Sequence, residues 1–369
     1  MGKRELLLIV GFVVLGVAVY QLTAPPGPEG RSRFNLGQLI ESAKREIQGN
    51  QARAERKATT TEPLAPDIDE LRVDNVPTVT LIGEDRVDMA LELAVVSTGF
   101  DEAEAKQLAE ATVPRVDSSG RVVTLSIEYP EGGRQTATLV VRLPSRIRAR
   151  IRGARGVSRV SGLAAIELEA TRGDLTIEHV PGRIEGDHVG GSLHITDAGS
   201  VSINARSADV ELTGIAGDAK LDLTGGTVRA TRLAGPLEVT GRSVEIEADG
   251  LGAIARFDLR GGEVTLTGVA HEVRFDGRSA DLTLALAAPA PVTAITNDGT
   301  IRFTAPPKGG FALDATATGG RLEVSGLDVP VTREGEDQRA SGEVRGGGPT
   351  VALRATSGVI EVRAAPAGS

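Results

Sequence analysis

The side chains best placed to do chemistry in this chain are arginines. Arg142, Arg146, Arg148, Arg150, Arg152, Arg155 and Arg159 fall between positions 142 and 166, a stretch without an acidic residue. Within it, Arg146, Arg148, Arg150 and Arg152 alternate with Ile147, Ala149 and Ile151. Alternation at period two puts alternate side chains on one face of a strand, so four guanidinium groups should form a strip. Such a strip can hold the phosphates of a lipid headgroup or of lipopolysaccharide, or an acidic partner, through paired N–H donors. The competing reading is a solvated outer face neutralised by acids on neighbouring strands.

Other reactive groups fail to converge. His179, His188 and His194 lie in adjacent repeats and His271 stands apart. His194, between Leu193 and Ile195, should face solvent, whereas His188 shares parity with Ile184 and should face the other way. No metal site is expected from them. Asp174, Asp209, Asp218 and Asp281 are spread over corners, where aspartate is an ordinary turn residue. A polysaccharide-active β-helix enzyme would need clustered carboxylates with Arg or Lys and aromatic platforms under sugar rings, yet aromatics are 2% of the chain. Gly-x-Ser-x-Gly, P-loop and His-Glu-x-x-His motifs are missing. Arg172-Gly173-Asp174 spells an integrin-recognition tripeptide, but its Gly-Asp is one copy of a recurring corner. Neither catalysis nor a cofactor is expected.

These residues hang on a repeat of about eighteen residues, and such a period marks a solenoid. An aliphatic anchor recurs at Leu175, Leu193, Val210, Val228, Val244, Val264, Leu282, Ile301, Leu322 and Ile360. Two positions before each anchor the residue is glycine in seven of the ten cases and alanine in two; Arg242 is the exception. A small residue there suits a tight corner or the close approach of neighbouring coils. A second apolar station follows about nine residues on, as at Val201/Ile203, Leu221/Leu223 and Phe257/Leu259. Stacked coils would then form parallel ladders around an aliphatic core. The spacing slips around Arg242 and Val244, which predicts a bulge or protruding loop through Ala248–Gly252. Thr332 to Pro349 reads as an exposed loop before a last coil at Thr350 to Arg363.

Upstream, period-two runs at 79–82, 89–96, 122–127 and 137–143 predict strands, interrupted by a helix over 101–111 with acids early. Residues 71–160 thus read as the irregular opening of the solenoid and 161–365 as its regular part. Lys3 and Arg4 precede an apolar stretch from Leu6 to Val19, extended by Tyr20 and Leu22. Residues 1–24 read as a transmembrane signal anchor with the basic end in the cytoplasm; cleavage is disfavoured because Leu22 fits the required small position badly. Residues 25–70 read as linker, with a short amphipathic helix over 34–58 and a Thr/Pro/acid-rich stretch from Ala58 to Asp69.

A net charge of −9 argues against nucleic acid as the partner. The absence of cysteine excludes disulfides, thiol catalysis and a lipid-modified cysteine. The repeats TRGDLTIEHVPGRIEGDHVGGSLHI and SADVELTGIAGDAKLDLTGGTVRATRL, with the LVVRLP strand that leads into them, resemble the β-strand-repeat family described as "putative adhesins". The resemblance spans about residues 70–365 and implies a β-solenoid of the bacterial envelope, without supplying site residues.

The sequence therefore predicts an all-β chain, a parallel β-helix behind a transmembrane helix and a helical spacer. It would be single-pass in the inner membrane, its body in the periplasm or at the cell surface, with a structural or adhesin-like role toward an envelope protein or glycan. Self-association, and a polymerising scaffold resembling bactofilins, is the alternative.

Overall fold

The computed structural model describes residues 52–132 and 134–365. The expected transmembrane segment, and the spacer helix as far as residue 51, lie outside the described residues. Among those described, no helix is long and apolar enough to cross a membrane. The described residues divide into two compact units: 52–56, Val96–Thr112 and Tyr129–Gln135 form one; Lys57–Val95, Val113–Glu128 and 136–365 form the other.

The first unit carries the expected helix, Glu102–Ala111. Asp101 caps it by accepting from the Glu104 backbone N–H at 2.8 Å, and Glu104 accepts from the Phe100 N–H at 2.6 Å. Ala105, Leu108 and Ala109 form its buried face. At the other end the Arg56 guanidinium donates to the carbonyls of Ala109, Glu110 and Thr112, a cation where the helix dipole favours one.

The second unit is the solenoid. Each coil has a strand on one wall (wall A), a tight corner, and a strand on a second wall (wall B). Because side chains alternate in a strand, one aliphatic set per wall points inward, and parallel pairing stacks equivalent positions. On wall B, Leu175, Leu193, Val210 and Val228 occupy one register column, continued by Ile246, Val264, Leu282 and Ile301. On wall A, Ile166, Ile184, Val201, Ala219, Leu237, Ala255, Val273 and Val292 form another. All of these are buried, and each larger aliphatic contributes about 1.5–3 kcal/mol through loss of water contact.

The corner shows how sequence is matched to packing. Strand Leu237–Leu251 runs through it without a slip, pairing Leu237 with Ala255 through to Asp249 with Thr267. The column residue is therefore Ile246, Val244 takes the corner position, and the expected bulge at Ala248–Gly252 is corrected. Sequence spacing alone points to Val244 because it is aliphatic, but the register places Ile246 in the column and Val244 opposite Gly262. Val244 fits because Gly241 leaves room: a Cβ on Gly241 would lie 2.9 Å from Val244 Cγ2. On the next coils the large residue moves, with Leu223 before Gly226 and Leu259 before Gly262. A Cβ on Gly262 would meet the Val244 carbonyl oxygen at 2.1 Å, and Gly262 has φ +108°. These three coils thus place their bulk either at the wall end or at the corner.

Both ends depart from sequence order. The first coil, with strands Glu70–Asp74 and Thr78–Glu84, lies between the coil of Val122–Glu128 and Arg134–Pro144 and the coil of Arg148–Arg152 and Ser158–Ser161. At the far end, Thr350–Thr356 and Val359–Arg363 lie between the coil of Val292–Asn297 and Thr300–Thr304 and that of Phe311–Thr318 and Arg321–Ser325. The last coil in sequence is thus not the last in space. Antiparallel strands cover wall A at each end: Val113–Ser119 on Val122–Glu128, and Asp337–Val344 on Phe311–Thr318. The latter strand pairs with Val331–Glu334, so the expected loop at 332–349 is largely a β-hairpin. Likewise Ala52–Pro63 is strand, correcting the helix and linker expected over residues 52–63. Its Thr and charged residues alternate on a half-exposed strand, a pattern that composition alone reads as linker.

Candidate binding surface

The predicted arginine strip forms, but it is occupied from within. Arg148, Arg150 and Arg152 share the outer face of strand Arg148–Arg152, with Ala149 and Ile151 buried beneath. Arg146 precedes the strand and donates instead to the Ile68 carbonyl. Parallel pairing brings Glu70 to Arg148 on one side and Glu167 to Arg150 on the other. Arg150 holds Glu167 Oε2 through two donors at 2.7 and 3.0 Å and lies 3.4 Å from Glu169; Arg148 lies 3.2 Å from Glu70, and Arg152 3.8 Å from Glu169. Glu70 is 5% exposed. Burial alone would raise its carboxyl, but the hydrogen bond from Arg72 and the charges of Arg72, Arg150 and Arg148 outweigh burial and hold it below the usual range. This strip is a neutralised ladder, and Glu70, far away in sequence, is what sequence reasoning missed.

The histidines separate as expected. His194 is exposed, its Nδ1 2.8 Å from Glu211 on the next coil, and His179 lies 3.5 Å from Asp197. His188 is fully buried, its Nδ1 3.0 Å from Thr171 Oγ1. Burial pushes its imidazole below the usual range, and the nearby backbone of Gly173 and Gly190 offsets this only in part. Among the described residues no group of three or more potential ligands is placed to hold a metal ion.

What the structure adds is a trough on the outer side of wall A. Three neighbouring grooves of about 490, 310 and 360 Å³ follow one another across the coils. Asp187, Asn204, Asp222, Thr240, Asp258 and Asp276 form one register row along it. Arg206, Thr224, Arg242, Arg260 and Arg278 form the next row. The signal was present in the chain as Arg256-Phe-Asp-Leu-Arg260 and Arg274-Phe-Asp-Gly-Arg278, one repeat apart. Its arginines are separated by a period that only a stacked register turns into a row. Such a surface suits polar contact with an extended partner.

A family model described as Toastrack DUF4097 matches residues 124–363. The chain belongs to this family. The match takes in the strand of Arg148, Arg150 and Arg152, without Glu70, and every coil of the trough. No curated protein matches. Among solved structures, similarity extends to one described as a "putative adhesin" from Parabacteroides distasonis, at 12% identity over 84% of this chain and 97% of that one, TM-score 0.31. A "putative lipid binding protein" from the same organism is 13% identical over 69% of this chain and 95% of that one, TM-score 0.33. A "putative adhesin" from Bacteroides fragilis is 11% identical over 84% and 97%, TM-score 0.26.

Proposed function

We propose that this chain is a membrane-anchored, extracytoplasmic binding module of the bacterial envelope, adhesin-like and without catalysis. The observation that carries this reading is the trough on wall A: a long, multi-coil surface on a packed body, polar along its carboxylate and arginine rows and apolar where exposed Ile295 lines its last groove. Its carboxylates stand in a row along the coils, an arrangement suited to repeated polar contacts rather than to one reacting atom. The aliphatic core is filled, which argues against a lipid carrier with an open apolar cavity. Antiparallel strands over wall A at both ends argue against coil-on-coil polymerisation, since they occupy the edges a second copy would extend. The anchor rests on Lys3, Arg4 and the apolar run behind them.

Two measurements test the reading. Ser341→Cys introduces a thiol into a cysteine-free chain, and a membrane-impermeant maleimide should label it on intact cells; labelling only after lysis would remove the extracytoplasmic placement. The full chain should retain envelope glycan or protein in pull-downs, and Asn204→Ala/Asp222→Ala/Asp258→Ala should release it while Arg148→Ser/Arg150→Ser does not. Equal retention by the trough variant would sink the proposed surface.

A further inference from the structure

Charges on the outer faces of the solenoid are commonly paired between neighbouring coils, as in Arg150 with Glu167, Lys220 with Glu238 and Arg229 with Glu247. At the tight corner of the three coils Leu237–Leu251, Ala255–Val269 and Val273–Leu286 that habit is broken. On the wall A side of their tight corner stand Arg242, Arg260 and Arg278, in direct register. On the wall B side stand Glu245, Glu263 and Asp281, also in direct register. Between the rows the edge is formed by Ser243, Gly261 and Ser279, all with positive φ. All three arginines are exposed and, among the described residues, form no ion pair; nor do Glu245 and Glu263. Asp281 accepts only the Thr300 N–H, at 2.8 Å. Like charges thus repeat at the strand separation, about 4.8 Å, along two parallel rows of opposite sign.

We propose that this edge is a self-association surface whose partner is a second copy of the chain, related by a two-fold axis parallel to the solenoid axis. That operation carries the arginine row of one chain onto the acidic row of the other and back, with equal coils side by side. A two-fold axis lying across the edge would instead set arginine against arginine. The same pattern disfavours a linear polyanion, because the arginine row is flanked by Asp258 and Asp276 on one side and by the acidic row on the other. Small contact area and solvent-exposed ion pairs make the association weak and salt-sensitive. The parallel arrangement leaves the first coils of both chains at the same end, as two chains in one membrane require. The pairing itself does not depend on the function proposed above.

The test uses the full chain in detergent, followed by analytical ultracentrifugation. Wild type should dimerise, with Kd rising about tenfold or more between about 0.05 and 0.5 M salt as screening shortens. Arg242→Glu/Arg260→Glu/Arg278→Glu and Glu245→Lys/Glu263→Lys/Asp281→Lys should each be monomeric, and an equimolar mixture should dimerise again. That rescue also shows that both variants are folded. The absence of cysteine permits a direct check of geometry: Ser243→Cys should cross-link to its own copy, and Ser279→Cys likewise. Cross-linking of Ser243→Cys to Ser279→Cys in preference would overturn the parallel arrangement. Dimerisation of both variants at wild-type strength, or failure of the mixture, would overturn the surface. So would a monomeric wild type that binds dextran sulfate through the arginine row.

Discussion

Two arginine rows in this solenoid look alike in sequence and differ in what surrounds them. Arg148, Arg150 and Arg152 lie along one strand, and the adjacent coils supply Glu70, Glu167 and Glu169. Arg242, Arg260 and Arg278 lie across three coils, and the adjacent positions of their row hold only one another, Thr224 and Asn297. In the first region charge serves folding, because the carboxylate at its centre is buried. In the second, among the described residues, the arginines form no ion pair. Arginine density along the sequence therefore does not tell the two apart: what differs is whether the coil above and the coil below bring the opposite sign.

That contrast can be broken or sharpened experimentally. The largest effect should come from packing in the second region, not from its charges: Gly241→Leu drives a side chain into Val244 and should destabilise the protein by about 3 kcal/mol in denaturant unfolding. Adding Val244→Gly should restore most of that loss, since it recreates the Leu-and-Gly arrangement of Leu259 and Gly262; no recovery would refute the complementary-bulk account. Next, Glu70→Ala should cost about 2 kcal/mol, less than a fully buried pair because its arginine partners keep solvent contact. Glu263→Ala, by contrast, should stay within about 0.5 kcal/mol. Equal losses at these two positions would erase the distinction between the regions.

Acid should act first on a buried histidine and then on the first region. The depressed Glu70 carboxyl contributes stability that is present above its ordinary value of 4.5 and lost as pH falls through the folded value. His188, depressed from 6.5, contributes a loss that begins at milder acidity, because the unfolded chain takes up a proton that the buried ring resists. Thermal melts of His188→Leu should show a flatter pH dependence below about 6.5, and those of Glu70→Gln a flatter one below about 4.5, relative to wild type. Smallest of all, Arg260→Ser should leave the melting temperature within about 2 °C at every salt concentration. A salt-dependent shift for that variant at protein concentrations where the wild type is monomeric would mean that its row is engaged within the molecule after all.

Much of the solenoid was legible because it is local and repeated. The inward column through Leu175, Leu193, Val210 and Val228 follows from period-two alternation within each coil and an eighteen-residue step between coils. The opposite facing of His188 and His194 follows from the same parity. The misreading at Val244 has an equally local cause: its coil exchanges bulk between Gly241 and the corner, so an aliphatic residue sits at the corner position that Gly262 holds on the next coil. The fate of the arginine strip was not legible. Glu70 reaches it because the first coil is inserted between two later ones, and nothing periodic in the chain announces that insertion.

By itself the sequence determined the class of fold, the coil length, the two walls and which side chains face the core, because alternation and hydrophobic burial act between residues close along the chain. Tertiary structure alone decided the order of the coils at both ends, the covering of wall A by antiparallel strands, and which charges are neutralised. Those outcomes depend on pairing between segments separated by tens of residues, where hydrogen-bonded register rather than local pattern selects the neighbour.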